Sequence, residues 1–170
     1  IVTLRTTNSG AGHYFPTYAT PLVAIKGFLT DARGRVLKGT MKEAAIGRKV
    51  SLDLSRELFD TRIPPSGSHE FDYAIKRTVE AGTLVFEVRV FPDEFYNRFF
   101  ESAIERRDPY MKKAELEEAF STTSRSSYLL FRREIRIKEL LDGHVSWLRK
   151  DAARPAWATA SSEPVSIQHP

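Results

Sequence analysis

The sequence predicts a mainly β fold: an immunoglobulin-like antiparallel β-sandwich with a helical pair inserted before its last strand. Three observations lead there. Short stretches alternate apolar with polar residues, clusters of Gly, Pro, Asp and Ser separate them, and from Pro92 the apolar period lengthens from that of a strand to that of a helix. About seven strands result, which is the number two packed antiparallel sheets of this kind need. The 170 residues leave room for a real core, and hydrophobic and charged shares of 41% and 28% are those of an ordinary globular chain.

The elements follow in order. Val2, Leu4 and Thr6 alternate with Thr3, Arg5 and Thr7, as in a half-buried strand. Residues 21–29 carry apolar groups on both faces, so that strand is central. Asp31-Ala32-Arg33-Gly34 reads as a turn into a hairpin with residues 35–41. Val50, Leu52 and Leu54 alternate with Lys49, Ser51 and Asp53 in a second ribbon, and residues 56–60 read as a short helical turn. Two prolines make residues 63–67 punctuation. Phe71, Tyr73 and Ile75, then Leu84, Phe86, Val88 and Val90, form the inward faces of two strands, read as a hairpin turned at Glu80-Ala81-Gly82.

Asp93 then caps a helix whose apolar stripe is Phe95, Phe99 and Ala103 beside Tyr96, Phe100 and Ile104, with Arg106 and Arg107 in its last turn. Pro109 divides it from a second helix at residues 110–123, followed by a polar connection at 121–127. Residues 128–141 return to strand, with Leu129, Phe131, Ile135 and Ile137 on one face and Arg132, Glu134, Arg136 and Lys138 opposite, and Asp142-Gly143 turns the chain. The reading is therefore a sandwich domain at 1–150 with its helical insertion at about 92–124, and an extended tail at 151–170 anchored by Trp157.

Several kinds of chemistry are excluded early. Zero cysteines remove disulfides, thiolate metal sites and cysteine nucleophiles. The four histidines (His13, His69, His144, His169) show no metal-ligand spacing, so a zinc or copper site of this chain alone is not expected. No serine lies in a Gly-x-Ser-x-Gly elbow, and Gly10-Ala11-Gly12 lacks the third glycine and following helix of a phosphate loop. No catalytic activity is expected of the chain itself. The net charge of +4 is mild: it suits an anionic partner but is too sparse for nucleic acid. No apolar run reaches the roughly 20 residues of a membrane helix. The chain opens on Ile1 within a strand, which reads as a processed or trimmed piece.

One stretch is too particular for an ordinary connection: Asn8-Ser9-Gly10-Ala11-Gly12-His13-Tyr14-Phe15-Pro16-Thr17. Its glycines permit backbone angles closed to other residues, Asn8 can close a turn with its own side chain, and Pro16 stiffens the exit. Between them one imidazole sits beside two aromatics. On the residues alone His13 is either a ligand held by a rigid loop or a structural histidine that bonds backbone groups.

The pattern Asn-x-Gly-Ala-Gly-His-x-Phe-Pro-Thr resembles the opening of the β-sandwich domain near the C-terminus of certain multihaem c-type cytochromes, which are periplasmic or extracellular electron-transfer proteins. Ile63-Pro64-Pro65-Ser66-Gly67-Ser68 and Phe91-Pro92-Asp93-Glu94-Phe95-Tyr96 resemble later parts of it, so the likeness runs over roughly residues 1–140. It implies that His13 is an axial ligand to haem iron, that Tyr14, Phe15 and Thr17 line the contact, and that the partner is a haem-bearing cytochrome module upstream or in another chain, within a larger assembly. Without cysteine the chain departs from the pattern: haem c would be attached covalently elsewhere. The competing reading is an immunoglobulin-like binding or structural module with no redox role, in which His13 only braces its loop.

Overall fold

Two antiparallel sheets pack face to face, one of five strands and one of two. The structure, a computed structural model, describes residues 1–75, 82–107, 110 and 112–141. The elements are β1 (Val2–Thr7), β2 (Leu22–Thr30), β3 (Lys42–Val50), β4 (Glu57–Asp60), β5 (Ser68–Tyr73), β6 (Thr83–Phe91), α1 (Glu94–Glu105), α2 (Lys113–Arg125), β7 (Tyr128–Arg136) and α3 (Ile137–Leu141). The larger sheet runs β4-β3-β2-β6-β7 and the smaller pairs β1 with β5. The expected sandwich and its helical pair before the last strand are both present. The boundary at residue 150, the tail with Trp157, Pro109, His144 and His169 lie outside the described residues.

The core forms where alternate residues of the two sheets meet. Val23, Ile25 and Leu29 of β2, Ile46 of β3 and Leu84, Phe86 and Val88 of β6 pack against Phe71 and Tyr73 of β5 and against Ile63. Phe86 stands edge-on to both Phe71 and Tyr73, with ring centroids 6.1 and 6.2 Å apart. Gly27 lies beneath these rings; a Cβ there would fall 2.7 Å from Tyr73 Cδ2. Burial pushes the Tyr73 phenol up from its ordinary pKa, and its hydroxyl donates to the Thr40 carbonyl. β2 is the central strand expected, flanked by β3 and β6.

Several expectations are corrected. The hairpin partner of β2 is β3, not residues 35–41, which contribute one bridge, Thr30 to Val36. The chain leaves that bridge through Gly39 in the left-handed region, and Thr40 receives the Leu29 N–H on its hydroxyl. Residues 51–55 turn rather than extend: the Asp53 carboxylate accepts bonds from Ser51 and Ser55, and Leu54 takes a left-handed φ of 60°. Residues 57–60 are a strand instead of a helical turn, because Arg48 and Lys49 of β3 offer them a free edge.

β5 and β6 are not a hairpin; β5 pairs with β1 and β6 with β2 and β7, so they lie in opposite sheets. The polar stretch at 121–125 completes α2. β7 stops at Arg136 and gives way to α3. Asp93 makes no side-chain cap, although its carbonyl accepts from Asn97, and Arg106 and Arg107 fall just past the end of α1, Arg107 in the left-handed region.

The helical pair attaches to one end of the larger sheet, where β2 begins and β3 ends. Glu94 joins Lys49 and Arg98, each at 2.9 Å, and Arg98 donates to the Val50 carbonyl. Phe95 N–H donates to the carbonyl of Thr20, at 3.2 Å. The β1–β2 loop and the helices thus share one end of the sandwich. Among the described residues no helix is long and apolar enough to cross a membrane.

Candidate functional site

Asn8 builds the loop. It is buried, and its amide group makes three bonds: Nδ2 donates to the carbonyls of His13 (2.8 Å) and Ile63 (3.1 Å), and Oδ1 accepts from Ala11 N–H (3.2 Å). The last closes the side-chain turn expected of it. Its backbone also bonds both ways with the β4–β5 connection, to Gly67 O and from Ser66 N–H. A second tie follows, as Phe15 and Ile63 exchange two backbone hydrogen bonds, each 2.8 Å. The Phe15–Pro16 peptide is cis. The loop is stitched along its length to residues 63–67, which is why its exposed tip keeps a defined shape.

His13 stands on that tip. Its Nδ1 lies 2.9 Å from the Tyr14 carbonyl oxygen and 3.1 Å from Thr17 Oγ1. A carbonyl oxygen only accepts, so Nδ1 carries the proton, and Thr17 Oγ1 stands beside it as a second acceptor. In the neutral ring the lone pair then sits on Nε2. The ring is exposed. A metal-ligating histidine needs one nitrogen fixed through its hydrogen and the other open with its lone pair; His13 meets both conditions. The donor set therefore fits a single imidazole offered to an iron held by another group. Among the described residues no three His, Asp or Glu side chains gather into a metal-ion cluster.

The other residues picked from sequence separate. Tyr14 and Thr17 share the exposed face with His13 and hold its Nδ1, whereas Phe15 is half-buried and packs against the core. The two glycines do not serve the backbone freedom expected of them. Neither Gly10 nor Gly12 takes a left-handed φ, and a Cβ at either would meet nothing within 4 Å. Both are open where a side chain would stand, and Gly12 directly precedes His13.

Sequence reading missed Asp60 and Arg62. Arg62 Nε and Nη2 fork onto the Asp60 carboxylate at 2.9 and 2.6 Å, Nη1 donates to the Thr17 carbonyl at 3.2 Å, and the guanidinium lies 5.2 Å from the centre of the Tyr14 ring. Hydrogen bonding from Arg62 holds the Asp60 carboxyl below its ordinary pKa. Nothing in the pattern Asp60-Thr61-Arg62 announces the link to the loop, because Thr17 lies 45 residues away.

His69 is half-buried on the inward face of β5, on the side that carries Phe71 and Tyr73. A cleft of about 300 Å³ opens between α1 and α2 beside Leu22 and Phe91. Its Asn97 amide donates to Thr123 and Ser124 across the helix pair, so it ties the helices together. Of the basic residues read onto the last strand, Arg132, Arg133 and Arg136 are exposed on the edge strand β7, where Arg132 pairs with Glu87 and Glu134, whereas Lys138 falls in α3.

The chain matches no family model, and no curated protein matches it. In shape it is similar to part of a penta-heme cytochrome c552 from Thermochromatium tepidum. That likeness has a TM-score of 0.49 at 17% identity and covers 80% of this chain and 39% of that one. The chain thus spans well under half the length of that protein, and at this score the likeness carries no argument about what the chain does.

Proposed function

We propose that this chain is an accessory, structural domain of a multihaem electron-transfer protein, working in the periplasm or outside the cell. It packs on a haem-bearing module and offers His13 Nε2 as an axial ligand to a haem c attached outside the chain. The observation that carries the reading is the held Nδ1 of an exposed imidazole. The loop pattern around it, the open space at Gly10 and Gly12 and the lack of cysteine support it too.

Each residue has a stated task. Asn8 fixes the loop by its bonds to the carbonyls of His13 and Ile63. The Tyr14 carbonyl and Thr17 hydroxyl hold the imidazole proton at Nδ1 and so raise the basicity of Nε2. Tyr14, half exposed, would supply an aromatic wall to the contact with the haem. A haem held by His13 would supply one-electron chemistry, at a potential set by the ligand's basicity and the burial of the site.

The test is an absorption spectrum of the natively purified assembly, oxidised and reduced, beside that of a His13→Ala variant. Partial conversion of a low-spin spectrum to high spin is expected. An unchanged spectrum would reduce His13 to a loop brace. Native material without haem would overturn the cytochrome reading and leave a plain binding module.

A further inference from the structure

We infer that Arg62, clamped by Asp60, is the positioning residue for His13: it orients the imidazole through the two residues that hold Nδ1. This rests on the reading of His13 as a ligand. Arg62 donates to the backbone carbonyl of Thr17, whose hydroxyl stands 3.1 Å from Nδ1, and it lies over the ring of Tyr14, whose carbonyl accepts from Nδ1. One guanidinium therefore bears on both residues that fix the ring and needs no contact with the imidazole itself.

The geometry suits that task better than simple bracing. Two of the guanidinium nitrogens are spent on one carboxylate, a planar fork that permits one orientation. Only 19% of the Arg62 side chain is exposed, and 30% of that of Asp60. Asp60 is itself placed by strand pairing, opposite Arg48. Orientation thus passes from the β3–β4 ladder to Asp60, to Arg62, to Thr17 and Tyr14, and to Nδ1. Lysine could keep the charge and reach but not the fork or the stacking.

Nitrogen NMR of the labelled full chain reads the ring directly, at about pH 8 where an ordinary imidazole is neutral. The wild-type chain is expected to hold His13 mainly as the Nδ1–H tautomer. In Arg62→Met the ratio of Nδ1–H to Nε2–H should fall about fivefold, on the order of the loss of one hydrogen bond. Arg62→Lys should restore it only in part, and Asp60→Asn should shift it in the same direction as Arg62→Met.

Urea unfolding is measured beside each spectrum. A variant that loses stability but keeps the wild-type tautomer ratio would overturn the inference, since that is bracing alone. If Arg62→Met does not fold, Asp60→Asn and Arg62→Lys carry the same test. Added haem peptide with one vacant axial position separates the two readings. A tautomer shift in the variants, with no low-spin haem formed by the wild-type chain, would uphold the positioning and sink the ligand reading. Low-spin haem formed equally by wild type and Arg62→Met would do the reverse.

Discussion

Asn8 holds more of the site together than His13 does. Its amide is the only side-chain type that can donate to two carbonyls and accept from an N–H in the same plane, and all three bonds are made in the interior of the loop base. Asn8→Ala leaves the His13 carbonyl and the Ala11 N–H without this partner, while the Ile63 carbonyl keeps the Phe15 N–H, and a group so left unpaired costs about 1–3 kcal/mol. The urea midpoint should therefore fall by an amount worth roughly 2–4 kcal/mol. Asn8→Asp should cost at least as much, because a carboxylate turns toward those carbonyls with no hydrogen to give. At this scale the sequence was informative wherever a residue's chemistry is unusual for its setting. A lone imidazole between glycines and aromatics stands out, and so does an asparagine before a glycine turn. Arg62 does not, because an arginine is ordinary anywhere and only the fold reveals what it touches.

Among the elements, β2 shows how closely the layers are fitted. Gly27 faces Tyr73 Cδ2 at 2.7 Å, Phe71 Cε1 at 3.0 Å and Phe86 Cε1 at 3.3 Å, measured from where a Cβ would sit. These are buried rings locked edge-on to one another, with no free end to yield. Gly27→Ala should destabilise by about 1–3 kcal/mol, as overpacking does, read as a lower urea midpoint. Gly47→Ala is the control. Its nearest neighbour, at 2.8 Å, is the tip of the Leu22 side chain, which can rotate aside, so its loss should be smaller. Alternation revealed β1, β5 and β6, whose faces differ, and apolar groups on both faces marked β2 as central. It failed on β3, where Glu43-Ala44-Ala45-Ile46-Gly47 mixes small residues on both faces of a strand with a neighbour on either side. It failed again on β4, which is four residues long and only half-buried at Phe59. Pairing partners were the least legible of all, since β5 and β6 look like neighbours in sequence and are separated by the full thickness of the core.

Across the whole molecule, three aspartates, Asp31 and Asp53 in turns and Asp60 at the end of β4, respond in the same direction to acid. Asp31 is held below its ordinary pKa chiefly by the Arg35 backbone N–H, Asp60 by the Arg62 side chain, and Asp53 by the hydroxyls of Ser51 and Ser55. A carboxyl so lowered stabilises the fold above its unfolded pKa and loses that contribution as pH falls toward the folded one. For Asp53 the window runs from the ordinary 3.8 down to about 2. The urea midpoint should decline across that window, and Asp53→Asn should make the decline shallower without changing its direction. The five-over-two layering was hidden from sequence, because it depends on β4 joining one edge of the larger sheet and β1 pairing with β5. It also governs the order of events when the chain folds. The smaller sheet and the loop base close through contacts such as Asn8 to Ile63, 55 residues apart, and Arg5 to Glu70, 65 apart. Contacts so distant along the chain carry the largest loop-closure cost and slow the search. His13 has its oriented ring only where these distant contacts are made, that is, in the closed sandwich. A ligand that needs the ring arrives at a finished protein: it can prolong the life of the native state, but it cannot seed it.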